Sequence, residues 1–223
     1  MKAKLELWVG LKVIDLVTQT AWMTFTEKLN YEGILRGLRR YSYFGIEVEG
    51  EEFEGTVEEI DRAIQLDSAF TNQNKHFYRL LAAGTDALAG QDGRHGDDLS
   101  LSVLLASDSS SLSSRGTLAI ERDYPAAGRG ERNGRLFSFD CLIRPSLRDR
   151  ELPYMERLNG RLDGAKVTDI VAGEVWRITV EGADIEEAAN IVDGMVVTRS
   201  RREGLLMNPH YQRYEVIASK ELS

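Results

Sequence analysis

The chain has little cysteine and little proline, and its basic residues are outnumbered by its acidic ones. Its 223 residues include one cysteine, Cys141, so neither an internal disulfide nor a thiolate zinc site can form, and we expect a reducing, cytoplasmic location. Only 4 residues are proline and 42% are hydrophobic, which excludes collagen-like and wholly disordered chains. Asp and Glu number 36 against 28 Lys and Arg. The resulting net charge of −8 argues against nucleic acid or an anionic membrane as a partner.

The chain also has no long apolar run near its start. Residues 1–12 carry charges at positions 2, 4, 6 and 12, so we expect neither a signal peptide nor a membrane span there. The length suits one large domain or two smaller ones, each with its own core.

Hydrophobic periodicity predicts the elements of the first part of the chain. Residues 4–13 alternate as in a half-buried strand, and Asp15 is a candidate N-cap for a helix whose apolar positions recur every four residues. Two further strands are expected over 35–41 and 43–49, then a helix over 56–70 and a strand over 76–82. The order strand, helix, strand, strand, helix, strand indicates a ferredoxin-like β-α-β-β-α-β unit of the α+β class.

An internal repeat links the two ends of the chain. Residues 46–50 (IEVEG) match residues 178–182 (ITVEG), 132 positions later. Asn72 and Tyr78 match Asn208 and Tyr214, now 136 positions later. We therefore predict two ferredoxin-like copies in tandem, over 1–82 and 134–223. Between them, residues 83–133 form an insertion rich in Gly, Ser and Asp, with a possible hairpin.

The second copy has its own predicted elements. A strand is expected around 137–143, and a helix from about Asp149 would carry Pro153 in its first turn, where a missing N–H costs little. A last strand is expected over 214–218. The second long helix is expected to bury an apolar stripe made of Ile185, Ala188, Ala189, Val192 and Val196.

Residues 178–216 contain a strand ending in Glu-Gly, a helix opening with Glu-Glu-Ala, a Leu-Leu-x-Asn-Pro segment and a final Tyr-Glu-Val strand. The positions of this pattern include Leu205, Leu206, Asn208, Pro209, Tyr214 and Glu215. The pattern resembles the signature of PurS, the small subunit of phosphoribosylformylglycinamidine synthase. The first copy keeps Asn72 and Tyr78 but has Gln73 in place of the proline. Because PurS proteins are single short chains, the tandem resembles a fused, pseudo-two-fold dimer of them.

The resemblance implies a non-catalytic accessory subunit in de novo purine biosynthesis. Such a subunit bridges the ATP-dependent synthetase and the glutaminase, so that ammonia from glutamine reaches the synthetase within a C–N ligase complex. It implies no cofactor, no metal and no catalytic residue in the chain itself. The family-motif positions here are Asn72, Tyr78, Asn208, Pro209 and Tyr214.

The residues themselves offer little chemistry. His76, His95 and His210 are expected to have surface or packing roles rather than to converge on a metal. Cys141 lies on the apolar face of its strand, where a buried, inert thiol is the usual state. The pairs Glu58–Glu59 and Glu186–Glu187 are expected in the first turns of helices, where the helix dipole stabilises them, so a general-acid role is not favoured.

One surface could bind partners. Arg36, Arg39 and Arg40 lie near Tyr41 and Tyr43, and arginines exposed beside aromatic residues are enriched at interfaces. Open sheet edges could also allow self-association. Two alternatives to the accessory subunit stay open: a ferredoxin-like regulatory module that binds a metabolite without an enzyme partner, and, ranked last, an independent enzyme.

Overall fold

A computed structural model describes residues 1–83, 134–147 and 151–222 of the chain. These residues form an α+β structure, in which an antiparallel sheet has the strand order β3-β1-β2-β5-β4-β6. The hairpin predicted within 83–133 lies outside the described residues. The elements are β1 (Lys2–Leu11), α1 (Leu16–Glu27), β2 (Leu35–Glu49), α2 (Phe53–Leu66), β3 (His76–Ala83), β4 (Arg135–Pro145), α3 (Leu152–Asn159), β5 (Lys166–Gly182), α4 (Ile185–Val196) and β6 (Gln212–Leu222).

The start of α1 confirms the predicted cap. The Asp15 carboxylate accepts the backbone N–H of Val17 over 3.0 Å, which satisfies one of the free donors of the first turn. Phe25 is fully buried, as the four-residue period predicted. The helix ends before Asn30, whose φ of 61° lies in the left-handed region that asparagine tolerates.

The prediction of two strands over 35–41 and 43–49 is wrong. Residues 35–49 form one strand, β2, of 15 residues, and β5 is similarly long at 17 residues. The intervening Tyr41-Ser42-Tyr43 contains no Gly, Pro or Asn that would favour a turn, and tyrosine prefers extended backbone.

The helices agree with the sequence in their positions but not in all their bounds. The helix predicted over 56–70 is Phe53–Leu66, and Pro153 does lie in the first turn of α3. On α4, Ala188, Val192 and Val196 are buried as predicted. Two members of the predicted stripe, Ile185 and Ala189, are instead exposed, and Met195 takes a buried position on this helix.

Corresponding elements of the two ends of the chain share the offsets of the sequence repeat. Helices α2 and α4 begin 132 positions apart, and α1 and α3 end 132 positions apart. Strands β3 and β6 begin 136 positions apart. The repeat therefore extends to the boundaries of these helices and strands, while the extent of each copy stays a prediction.

The chain folds into two compact units, and each unit draws on both ends of the chain. Of the described residues, unit 1 contains 1–12, 43–83 and 151–172, and unit 2 contains 13–42, 134–147 and 173–222. Each of the long strands β2 and β5 thus contributes one segment to each unit. We call residues 1–83 the first half and residues 134–222 the second half.

Each unit has its own hydrophobic core. In unit 1, α2 and α3 pack on strand residues such as Leu5, Leu7 and Ile46, which are at most 1% exposed. In unit 2, α1 and α4 pack on residues such as Phe137 and Ile178. Cys141 belongs to this second core and is fully buried, as the sequence predicted.

Candidate functional site

The two motif asparagines form the same turn at the entry to the last strand of each repeat. The Asn72 side-chain oxygen accepts the N–H of Asn74 over 3.1 Å, and the Asn208 side-chain oxygen accepts the N–H of His210 over 3.0 Å. Such Asx turns let a short side chain replace a backbone acceptor. A backbone hydrogen bond between residues four positions apart closes each turn. His76 N donates to Asn72 O (2.7 Å), and Gln212 N donates to Asn208 O (2.9 Å).

A side-chain acceptor completes each turn. The N–H of Asn72 donates to Nδ1 of His76 over 3.1 Å, and the N–H of Asn208 donates to the amide oxygen of Gln212 over 2.9 Å. An imidazole nitrogen accepts a hydrogen bond only when it carries no proton. Burial and the nearby Lys75 lower the pKa of His76, which favours the neutral ring that this turn requires.

The two motif tyrosines bind an aspartate on the preceding helix. Tyr78 on β3 donates its O–H to Asp61 on α2 over 2.8 Å. Tyr214 on β6 donates its O–H to Asp193 on α4, and Arg199 donates to the other oxygen of that carboxylate. Sequence reasoning missed both aspartates, although their separation of 132 positions is the offset of the repeat.

The two tyrosines and Asp193 keep one protonation state at neutral pH. Burial, reinforced by the aspartate, raises the pKa of both Tyr78 and Tyr214 well above its ordinary value. The bond from Tyr214 and the pairing with Arg199 lower the pKa of Asp193. The Tyr214–Asp193 bond therefore joins a neutral phenol to an ionised carboxylate. Each Tyr–Asp bond positions the last strand of its repeat against the preceding helix.

The Leu-Leu-x-Asn-Pro segment returns to the end of α4. The N–H groups of Leu205 and Leu206 donate to the carbonyls of Met195 and Val196 over 2.9 and 3.1 Å, which satisfies acceptors that the helix end leaves free. Gly204, with φ 70°, precedes the segment, and a side chain there would overlap the Val197 carbonyl. Pro209 itself is exposed in the turn.

Arg36 and Arg40 make ion pairs within unit 2. Arg36 contacts Glu181, with 3.0 Å between Nε and the carboxylate, and only 11% of its side chain is exposed. Arg40 pairs with Asp15 over 2.9 Å and with Glu174 over 3.0 Å. Arg39 is partly buried.

The neighbouring tyrosines do not form an exposed surface with these arginines. Tyr41 and Tyr43 are each 7% exposed, so the expectation of arginines and aromatic residues exposed together is wrong for this pair. The two tyrosine rings are buried, and the guanidinium groups of Arg36 and Arg40 are partly buried in charge-assisted hydrogen bonds to carboxylates. A role of Arg36, Arg39 and Arg40 in an interface stays a prediction.

The predicted carboxylate pairs have different structural roles. Asp184 and Glu187 both cap the start of α4. Glu187 N donates to the Asp184 carboxylate (2.8 Å), and the N–H of Ala183, the residue before the N-cap, donates to the Glu187 carboxylate (2.6 Å). Glu59 is not in the first turn of α2, which begins at Phe53. Its carboxylate instead accepts the N–H groups of three consecutive residues, Asp163, Gly164 and Ala165.

The remaining chemical groups do not converge in the described parts of the chain. His76 and His210 lie in separate units, and His95 falls outside the described residues. Burial raises the pKa of the Cys141 thiol to about 12, so it is not a nucleophile at neutral pH. Within residues 1–83, 134–147 and 151–222, no group of three His, Cys, Asp or Glu side chains could hold a metal ion.

Over the same ranges, no helix has the length and hydropathy that crossing a membrane requires. The arrangement that the motif residues do form is a pair of equivalent strand-entry sites, each consisting of an Asx turn and a Tyr–Asp bond. We call them the Asn72 site and the Asn208 site. In comparisons with known proteins, no family model, no curated protein and no solved structure matches the chain.

Proposed function

We propose that each unit is a ferredoxin-like domain completed by segments of both sequence copies. In a ferredoxin-like unit the antiparallel sheet has the strand order 4-1-3-2. Unit 1 has β3, β1, the 43–49 segment of β2 and the 166–172 segment of β5 in this order, with the last pair joined by Thr168 Oγ1 donating to Glu47 O over 3.3 Å. Helix α3 and the β5 segment then stand where the first helix and second strand of the first copy would be.

Unit 2 follows the same scheme with the copies reversed. Its order is β6, β4, the 173–182 segment of β5 and the 35–42 segment of β2, and Glu181 N donates to Ile34 O over 2.9 Å next to the last pair. Helix α1 and the β2 segment come from the first copy. In this proposal the strands predicted over 35–41 and 43–49 are joined into one long strand instead of turning back near residue 42, so that each copy gives its first helix and second strand to the other.

We propose that the chain is the non-catalytic accessory subunit that the PurS resemblance implies. It would bring together the ATP-dependent synthetase and the glutaminase of phosphoribosylformylglycinamidine synthase in purine biosynthesis. The observation that carries this proposal is that the motif residues build the same site twice, once at Asn72 and once at Asn208. Because the motif residues make the same hydrogen bonds in both copies, they support a fold in common with the PurS family, whose pattern they resemble.

The protonation states also favour a non-catalytic role over an independent enzyme. General acid–base catalysis works best when a group titrates near the working pH. At the Asn208 site, the pKa of Tyr214 is raised and that of Asp193 is lowered, so both are moved away from neutral pH. The chain then contributes surfaces rather than reacting groups, and its partners would supply the chemistry.

Capture of partners from native extract tests this proposal. The tagged full chain is incubated with the extract, and the eluate is assayed for glutamine-dependent amidine formation with ATP. We expect both enzymes and their activity in the eluate. If the chain elutes alone but purified chain shows a ligand-dependent thermal shift, it is the metabolite-binding module, and turnover by purified chain alone would make it an enzyme.

A matched variant makes the capture experiment specific. Pro209→Ala changes an exposed residue of the Asn208 site and leaves the Asx turn and the Tyr214–Asp193 bond in place. Tyr211→Ala changes a neighbouring residue that is 72% exposed and outside the motif. If the motif surface contacts a partner, the first variant should capture less enzyme than the second, with equal thermal stability for both.

A further inference from the structure

We propose that folding requires one first half paired with one second half, and that the two halves can come from one chain or from two copies of this chain. The interaction surface is therefore the set of contacts between halves inside each unit, and the partner it fits is another copy of the same chain. The inference rests on the composition of the units and does not depend on the accessory role.

The core of unit 1 is incomplete without the second half. Leu158 on α3 and Val167 and Ile170 on β5 are at most 2% exposed and belong to the same core as Leu5 and Ile60 of the first half. Without these buried aliphatic side chains the core of unit 1 would contain large cavities, which are strongly destabilising. Unit 1 therefore depends on residues that the chain reaches only after residue 133.

Aromatic and polar contacts reinforce that dependence. Tyr154 of the second half packs against both Phe44 and Phe70 of the first half, with ring centroids 5.1 and 5.5 Å apart. Asp67, whose side chain is 3% exposed, pairs with Arg157 and Arg161 over 3.3 Å each. Without the second half, this buried carboxylate would lose both of its cationic partners.

Unit 2 depends on the first half in the same way. Ala21 and Phe25 on α1 and Leu35 and Leu38 on β2 belong to the core that contains Phe137 and Ile178. The charges again match across the halves. Arg36 pairs with Glu181, and Arg40 pairs with Glu174.

The covalent connection between halves is long. Fifty residues, 84–133, separate the last described residue of the first half from the first described residue of the second. A covalent connection makes the pairing of the two halves intramolecular and so raises the effective concentration of one half near the other, without adding a contact. The chain's own halves therefore pair at low concentration, and a second copy competes when a half is defective or when the protein is concentrated.

Complementation between two damaged full-length chains tests the proposal. The first chain carries Leu7→Asp and Phe25→Asp, which place a charge in both cores from its first half. The second carries Leu158→Asp and Ile178→Asp, which do the same from its second half. Each chain refolded alone should show no cooperative thermal transition, because neither of its units can form.

Refolded together, the two chains should regain a cooperative transition. One intact first half and one intact second half are present per pair of chains, so we expect about half the wild-type amplitude per chain and a species of two-chain mass. The control is a mixture of the first chain with a chain carrying Leu35→Asp and Ile46→Asp, both in the first half, which should stay unfolded. Recovery in the control, or a transition without a two-chain species, would overturn the proposal.

A second measurement uses only the folded wild-type chain. Normal and isotopically heavy protein are mixed, unfolded and refolded over a concentration series from about micromolar to about millimolar, because pairing between chains increases with concentration while pairing within a chain does not. Native mass spectrometry should show dimers of mixed mass that increase with concentration and persist after dilution. If only monomers are found at every concentration, and the damaged chains fail to complement, the proposal is wrong.

Discussion

Tyr78 donates its phenolic hydrogen bond to Asp61 over 2.8 Å, and so fixes the last strand of the first half to the helix that precedes it. The same bond joins Tyr214 to Asp193 in the second half. The Asn and Tyr residues that match between the two halves thus form the same hydrogen-bonded arrangement twice. In each half it joins a turn, a strand and a helix.

Removing either phenolic oxygen should weaken its unit without abolishing the fold. Tyr78→Phe and Tyr214→Phe keep the ring but remove the hydrogen-bond donor to the aspartate, and we expect each to lower the free energy of unfolding by about 1–2 kcal/mol. Denaturant titration followed by circular dichroism measures this difference. Tyr211→Phe is the matched control, because Tyr211 is 72% exposed, and it should change stability by less than about 0.5 kcal/mol.

The Asn72 turn should make stability depend on pH through His76. Burial holds the folded-state pKa of His76 below its ordinary value, so protonation favours the unfolded chain. The contribution is fully present above the unfolded pKa of about 6.5 and is lost as pH falls below it through the folded pKa. We expect the free energy of unfolding to decrease between pH 7.5 and 5.

His76→Gln separates this effect from other titrations. Gln212 supplies the equivalent acceptor at the Asn208 site, so glutamine should preserve the turn while removing the titrating group. The variant should match wild type near pH 7.5 and lose less stability than wild type toward pH 5. Equal slopes for the two proteins would show that the imidazole acceptor does not control the turn.

Local features of the fold were predictable from the sequence. Asp15 was identified as a cap because a short acceptor precedes a four-residue apolar period, and this relationship involves only neighbouring residues. The buried strand face around Phe139 and Cys141 followed from alternation alone. Asp61 and Asp193 are also predictable from the sequence, because a comparison of polar residues at the repeat offset pairs the two aspartates with each other.

Features that depend on distant partners were not predictable. The sequence of residues 35–49 fits two strands that turn at Ser42 and also fits one continuous strand. Periodicity therefore could not show that β2 is one strand. Nor could charge spacing show that Arg36 would pair with Glu181, which lies 145 positions later. Ala189 is predicted in the buried stripe but is exposed. A small apolar residue fits either face of a helix, so its identity does not show which face is buried.

Among the described residues, the core of unit 2 contains a buried hydrogen-bond donor without a partner, which a single substitution can remove. Trp176 is 3% exposed, and in the described parts of the chain its indole Nε1 is the buried side-chain atom without a hydrogen-bond partner. Such a donor costs about 1–3 kcal/mol, and its removal would offset the poorer packing of the smaller phenylalanine ring. Phe44 occupies the corresponding position of the first copy, so phenylalanine suits this place in the fold.

We therefore expect Trp176→Phe to change the free energy of unfolding by less than about 1 kcal/mol. Ile178→Val, in the same core, is the control and should cost about 1 kcal/mol, because it removes a methylene with no compensating gain. Unfolding is followed by far-ultraviolet circular dichroism, because the substitution changes tryptophan fluorescence. A loss of more than about 2 kcal/mol for Trp176→Phe would mean that the indole N–H has a partner in solution.

Asp67 should contribute stability that disappears in acid. Burial alone would raise its pKa, but the N–H of Ala69 and the guanidinium of Arg161 outweigh burial and place the pKa below its ordinary value. Its contribution is therefore present above the unfolded pKa of about 4 and is lost as pH falls through the folded pKa.

Asp67→Asn should be less stable than wild type by about 1–2 kcal/mol at pH 7, since the buried bonds to charged donors are weakened. The two proteins should approach equal stability as the pH is lowered below 4. Glu54→Gln, on an acidic residue in the first turn of α2, provides a control of equal charge change. A difference between Asp67→Asn and wild type that persists undiminished in acid would contradict the assigned ion pairs.

The accessory role is tested most directly by omitting the chain from a reconstituted reaction. Synthetase and glutaminase are assayed for amidine formation with ATP, using either glutamine or free ammonia as the nitrogen source, with and without the full chain. We expect omission to lower the glutamine-dependent rate and to leave the ammonia-dependent rate unchanged, because the proposed role of the chain is to bring the enzymes together and not to take part in the chemistry. A glutamine-dependent rate that is the same without the chain would contradict it.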